Sequence, residues 1–119
     1  MKKTVIIGAS ENQSRFSNKA VKSLLRNNIE VIAIGDKDGK INDINIICGI
    51  PEIYDIHTIS IYLNPKKQMI YQDFILESHP KRVIFNPGAE NNELKEKCIN
   101  KGIEVVEGCT IIMLNNDQF

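Results

Sequence analysis

Short runs rich in β-branched residues alternate along this chain with longer stretches whose apolar positions recur at helical spacing. Residues 4–7 (Thr-Val-Ile-Ile) form the first run and stop at Gly8-Ala9-Ser10, as a strand stops at a small-residue turn. A polar loop covers 11–16. Ser17 then stands where it can cap a helix whose apolar Ala20, Val21, Leu24 and Leu25 form one stripe. Asn27-Asn28 ends that helix. Residues 30–34 read as a second strand, closed by the turn chemistry of Gly35-Asp36-Lys37-Asp38-Gly39.

The pattern from 41 to 50 is less regular and predicts a short strand over 44–47, followed by a single helical turn over 51–54. Residues 58–63 are a clean strand, and Asn64-Pro65 follows as N-cap and first helical residue. The helix through Met69, Ile70, Phe74 and Ile75 ends near Ser78-His79-Pro80. Residues 81–85 are another strand, turned by Asn86-Pro87-Gly88-Ala89. A helix over 90–100 carries Leu94 and Cys98 four apart, with Gly102 as its C-terminal glycine. The last strand is 103–106, and 110–114 forms a final helical turn or edge segment.

Strands alternating with helices imply right-handed crossovers and a parallel sheet covered on both faces. The sequence therefore predicts one doubly wound, mostly parallel α/β domain of about five strands over residues 1–119. There is no internal repeat or linker.

Composition adjusts this picture only slightly. The 21 isoleucines suit buried parallel strands. Lys plus Arg equals Asp plus Glu at 15 each, which argues against a general nucleic-acid or anionic-membrane binder. No apolar run approaches the ~20 residues of a membrane span. Three scattered cysteines without a CxxC pair fit a reducing cytoplasm rather than a disulfide framework.

In such a fold ligands sit beyond the carboxyl ends of the strands, where the strand order reverses. The candidate loops are 8–17, 34–40, 63–66, 86–91 and 107–110. In the first, Gly8 allows a sharp turn beside Ala9, and free amides at the helix start form an anion site. Ser10 and Ser14 add hydroxyls, and Arg15 adds a planar donor for phosphate. The dinucleotide fingerprint GxGxxG is absent, because serine stands at position 10 and glutamine at 13. Asp36 occupies the place of a ribose-binding acid, although it lies 28 residues beyond Gly8 rather than the usual ~20. Lys37, one position on, suits a phosphate instead.

The run Gly8-Ala9-Ser10, then Ser14-Arg15-Phe16-Ser17, an amphipathic helix, a strand and Lys37 resembles the stand-alone CoA-binding domain proteins. These are similar to the N-terminal nucleotide domain of the succinyl-CoA synthetase alpha subunit. The segments 84–91 and 102–109 continue the resemblance, which covers about residues 3–114. It implies a Rossmann-like domain that binds coenzyme A or an acyl-CoA. Gly8, Ala9, Ser10, Ser14 and Arg15 would hold the diphosphate end. Lys37 would meet a ribose-linked phosphate, and Asn64, Pro87 and Gly88 would line the pantetheine side. Asp36 departs from the family pattern, which has a proline there.

Other chemistry is sparse. His57 and His79 have no sequence neighbour suited to general base work and read as exposed structural residues. Cys98 reads as core, and Cys109 falls at a strand's carboxyl end, near the ligand edge. No metal-ligand cluster is present. The family's ligases carry their phosphorylated histidine in a second domain, for which this length leaves no room. The expectation is a non-catalytic CoA-binding module without nucleic-acid or membrane partners. Two alternatives stay open: an NAD(P)-type oxidoreductase-like domain, and a degenerate relative acting as an interaction module.

Overall fold

A computed structural model describes residues 2–119. Seven strands form one sheet: β1 (Thr4–Ile7), β2 (Val31–Gly35), β3 (Gly39–Ile41), β4 (Ile44–Cys48), β5 (Thr58–Ile61), β6 (Arg82–Phe85) and β7 (Glu104–Glu107). Their spatial order is β3-β4-β2-β1-β5-β6-β7. Every pairing is parallel except that of β3 with β4. The sheet thus belongs to the doubly wound, Rossmann-like class, with seven strands where the pattern suggested about five.

The extra edge strand β3 escaped the pattern because its Gly39-Lys40-Ile41 reads as the tail of a turn. Only Ile41 of the three is buried. Asn42, at φ 52°, turns the chain back so that Ile41 pairs with Ile44. Asn readily takes that left-handed conformation.

β1, β5 and β6 are buried throughout, as strands with both faces covered must be. On one face lie α1 (Phe16–Arg26) and α5 (Thr110–Asn115), packing Ala20, Val21, Leu24 and Leu114 against Ile6, Ala33, Ile46 and Ile84. On the other, Tyr71, Ile75, Leu94 and Cys98 pack against Val5, Ile7, Ile59, Val83 and Phe85. These come from a 3-10 turn (Met69–Tyr71), which follows α2 (Pro65–Gln68), and from α3 (Gln72–Glu77) and α4 (Asn92–Asn100). What the periodicity presents as one helix after Pro65 is therefore three short pieces.

Two local expectations are corrected. Ser17 is not the cap of α1: the helix opens two residues earlier, with Arg15 at the N-cap, and Ser17 is buried in its first turn. Residues 51–54 form no helical turn. The nine residues 49–57 must carry the chain from the carboxyl end of β4 to the amino end of β5. That path spans three strand spacings and a strand's length, roughly 20 Å, which the chain crosses without regular structure. The segment turns at Asp55, φ 58°, and is pinned by Ile53 and buried Ile56.

At the sheet's amino edge the buried guanidinium of Arg82 stacks 4.3 Å from the Phe119 ring and donates to Thr58 Oγ1 at 3.1 Å. Phe119 thereby fastens the segment after α5 to the core.

Candidate functional site

The chain builds outward from β1 through β2 to β4, then returns to the other side of β1 and continues through β5, β6 and β7. Strand order reverses between β1 and β5, so the loops after these strands flank a crevice at the carboxyl edge.

The loop after β1 is tightly organised. Gly8 sits at φ 101°, and a Cβ there would come within 3.0 Å of the Leu63 side chain and 3.3 Å of the Tyr62 carbonyl carbon. The glycine is thus required by the neighbouring strand end. The amides of Gly8 and Ala9 both donate to the Ile34 carbonyl at 2.9 Å, which fixes the shape of the turn. Ala9 lies against Gly35, where a Cβ would stand 2.5 Å from the Ala9 oxygen. Ser10 Oγ accepts from the Asn12 amide at 3.1 Å and keeps its own proton to donate. The Ser14 hydroxyl donates to Asn12 Oδ1 at 2.7 Å, which also takes the Ser14 amide at 3.0 Å.

α1 opens with no side-chain cap and no acidic residue in its first turn. Its first internal bond runs from the Lys19 amide to the Arg15 carbonyl at 3.2 Å. The amides of residues 16–18 therefore have no intrahelical acceptor, and exposed Arg15 stands directly before them. Free amides, a helix dipole and a guanidinium form an arrangement suited to an anion.

Asn18 belongs to this construction, although the pattern gave it no role. It is 2% exposed, and its side-chain amide donates to the Ser10 carbonyl at 2.9 Å. Its Oδ1 is buried without a partner among the described residues. A buried asparagine on a stripe of Ala20, Val21 and Leu24 was the available signal.

On the far side of the crevice, Asn64 Oδ1 accepts from the Lys67 amide at 3.0 Å, the N-cap expected of it. Gln68 is 1% exposed and donates to the carbonyls of Leu63 at 2.8 Å and Ala89 at 2.7 Å. Its Oε1 accepts from Asn91 Nδ2 at 2.8 Å. Gln68 thus ties the loops after β5 and β6 together. Pro87 and Gly88 are left exposed at the rim, with Gly88 at φ 93°. A buried glutamine in a helix rich in lysine gave no sequence signal.

A second buried network lies below. Asn86 Nδ2 donates to Ser60 Oγ at 2.8 Å, and Asn86 Oδ1 accepts the Thr110 amide at 2.9 Å. The Ser60 and Thr110 hydroxyls are 2.8 Å apart. This anchors the start of α5 to the sheet. Burial pushes the adjacent Tyr62 phenol up to about 12, opposed by the hydroxyls of Thr110 and Ser60.

Lys37 lies exposed beyond β2, between Asp36 and Asp38. His57 and His79 both stand at the sheet's amino edge, away from the crevice. His57 is half-buried rather than exposed, and burial with the nearby Arg82 charge lowers its pKa. Cys98 is fully buried and its thiol is raised to about 11 by that burial, whereas Cys109 lies half-buried at the carboxyl end of β7. Among the described residues no three His, Cys, Asp or Glu side chains gather as a metal site, and no helix is long and apolar enough to cross a membrane.

A parallel sheet whose strand order reverses beside β1 defines a Rossmann-like architecture. The chain belongs to the CoA binding domain family, whose model matches residues 2–115. None of the curated proteins matches it. Among solved structures, an uncharacterized protein is 42% identical with a TM-score of 0.97, over 100% of this chain and 98% of that one. A protein from Thermus thermophilus is 16% identical with a TM-score of 0.86, over 99% and 90%. An acetyl-coenzyme A synthetase from Ca. Korarchaeum cryptofilum, solved with phosphate and ADP, is 16% identical with a TM-score of 0.73. It matches over 90% of this chain and 25% of its own. The last two share the fold.

Proposed function

We propose that this protein binds coenzyme A or an acyl-CoA without catalysing a reaction on it. The observation that carries this reading is the uncapped start of α1, with Arg15 before three free amides, in a chain of the CoA binding domain family. The ligand's diphosphate would lie there, held by Arg15 and Ser10. Gly8, Ala9 and Ser14 set the loop's shape. The pantetheine arm would pass between Asn64 and the Pro87-Gly88 turn. Both histidines lie at the opposite edge of the sheet, which supports a binding role. The free cysteines fit a reducing cytoplasm.

Thermal denaturation with CoA, acetyl-CoA, NAD, NADP and FAD in parallel tests the reading. A ligand at a hundredfold excess over its dissociation constant adds about 2.7 kcal/mol, a shift of several degrees in a domain this size. CoA or acetyl-CoA is expected to give that shift and NAD to give none. A larger shift with NAD would replace this reading with the dinucleotide-dependent one. Ligase, thioesterase or dehydrogenase turnover lost on mutating His57 or His79 would overturn the non-catalytic role.

A further inference from the structure

In a sheet of this topology the diphosphate lies at the start of the first helix, and the adenosine ribose reaches the end of the second strand. That strand end is β2, and the side chains around it are mostly acidic. Asp36 and Asp38 follow β2 directly and are exposed. Glu11 is brought to the same place from the loop after β1. Its Oε2 accepts from the Lys40 amide at 2.8 Å, and its carboxyl lies over Gly39, where a Cβ would come within 2.3 Å of Glu11 Cδ. In this position the carboxylate occupies the space that a side chain at residue 39 would fill.

The neighbouring strand reports the same charge. Cys48 is in register with Gly35 at the carboxyl end of β4. Asp38 beside it, then burial and the charge of Asp36, raise its thiol pKa. Tyr71, beneath them, is raised by burial first and then by Asp36 and Cys48. Lys37 lies between the two aspartates in sequence, and Lys40 gives its backbone amide to Glu11; both lysines are exposed. Three carboxylates and two lysines are thus gathered at this strand end.

A ribose with free hydroxyls and a ribose bearing a phosphate meet this environment differently. A carboxylate accepts hydrogen bonds from hydroxyls. A phosphate monoester carries about −1.5 to −2 charges at neutral pH and is repelled by it. We propose that Asp36, flanked by Glu11 and Asp38, makes this site select the pantetheine nucleotide whose ribose is unphosphorylated. 3′-Dephospho-CoA then binds more tightly than CoA. The inference rests on the reading that the site holds a pantetheine adenosine diphosphate, and it names which one.

Isothermal titration with 3′-dephospho-CoA and with CoA, at low and at high salt, tests it. At low salt dephospho-CoA is expected to bind about fivefold or more tightly than CoA, and the ratio is expected to shrink as salt screens the carboxylates. Asp36→Asn keeps the side chain's size at an exposed position and is expected to move the ratio toward one. CoA binding as tightly as dephospho-CoA, or more tightly, overturns the selectivity while leaving the site intact. A preference for dephospho-CoA that Asp36→Asn and salt leave unchanged overturns the assignment to this acidic end. Binding of neither nucleotide overturns the reading of the site itself, and the selectivity with it.

Discussion

Asn18 holds Ser10 from below: its buried side-chain amide donates to the Ser10 carbonyl at 2.9 Å, joining the first turn of α1 to the loop that precedes it. Asn18→Ala would leave that carbonyl unpaired against the core and free the loop. We expect a loss of about 1–3 kcal/mol in stability, read by urea denaturation, with weaker CoA binding. Unchanged stability would show that the loop is held by its Asn12 turn alone.

Arg15 supplies the opposite case. Its side chain is exposed and makes no ion pair among the described residues. Arg15→Ala should lower CoA affinity about tenfold to a hundredfold, the value of a charge-assisted contact. Stability of the free protein should stay within about 0.5 kcal/mol. Loss of the fold would assign Arg15 a structural role, and unchanged affinity would move the phosphate grip to Lys37.

Gln68 is the tie between the loops after β5 and β6. Gln68→Ala strands the carbonyls of Leu63 and Ala89 and opens a cavity at a position only 1% exposed. An expected cost of about 2–4 kcal/mol follows, visible as a fall in melting temperature of roughly ten degrees or more. Hydrogen exchange should quicken around 87–91 first, and a uniform acceleration instead would mean that the tie is not local.

The buried phenol of Tyr62 makes the fold sensitive to alkali. Its folded pKa, about 12, exceeds the ordinary 10, so the native state keeps a proton that the unfolded chain releases. Its contribution is intact below pH 10 and is lost as pH rises through 12. Cys98, raised from 9 to about 11 by burial, adds a loss of the same sign beginning near pH 9. Tyr62→Phe should remove the part of the decline between pH 10 and 12 while leaving neutral-pH stability equal or slightly higher, since the hydroxyl is buried without a hydrogen-bond partner among the described residues. An unchanged alkaline slope in that variant would show that the phenol is solvated in the native state.

The amino-acid sequence by itself determined the alternation of β-branched runs with amphipathic helices. Burial on both faces of a parallel sheet forces that alternation into the chain. Glycines and asparagines marked most of the strand and helix ends, because left-handed backbone and capping are local demands. The loop 8–15, with its serines and Arg15, was legible for the same reason. The tertiary structure decided what depends on partners distant in sequence. β3 exists because Ile41 is buried and its backbone pairs with Ile44. The crossover 49–57 is irregular and held by Ile53 and Ile56, whose partners lie on distant strands. Gly8 and Ala9 spend their amides on Ile34, and Glu11 comes to rest over Gly39. Asn18 and Gln68 became structural ties only once their carbonyl partners were brought beside them, which no spacing along the chain records.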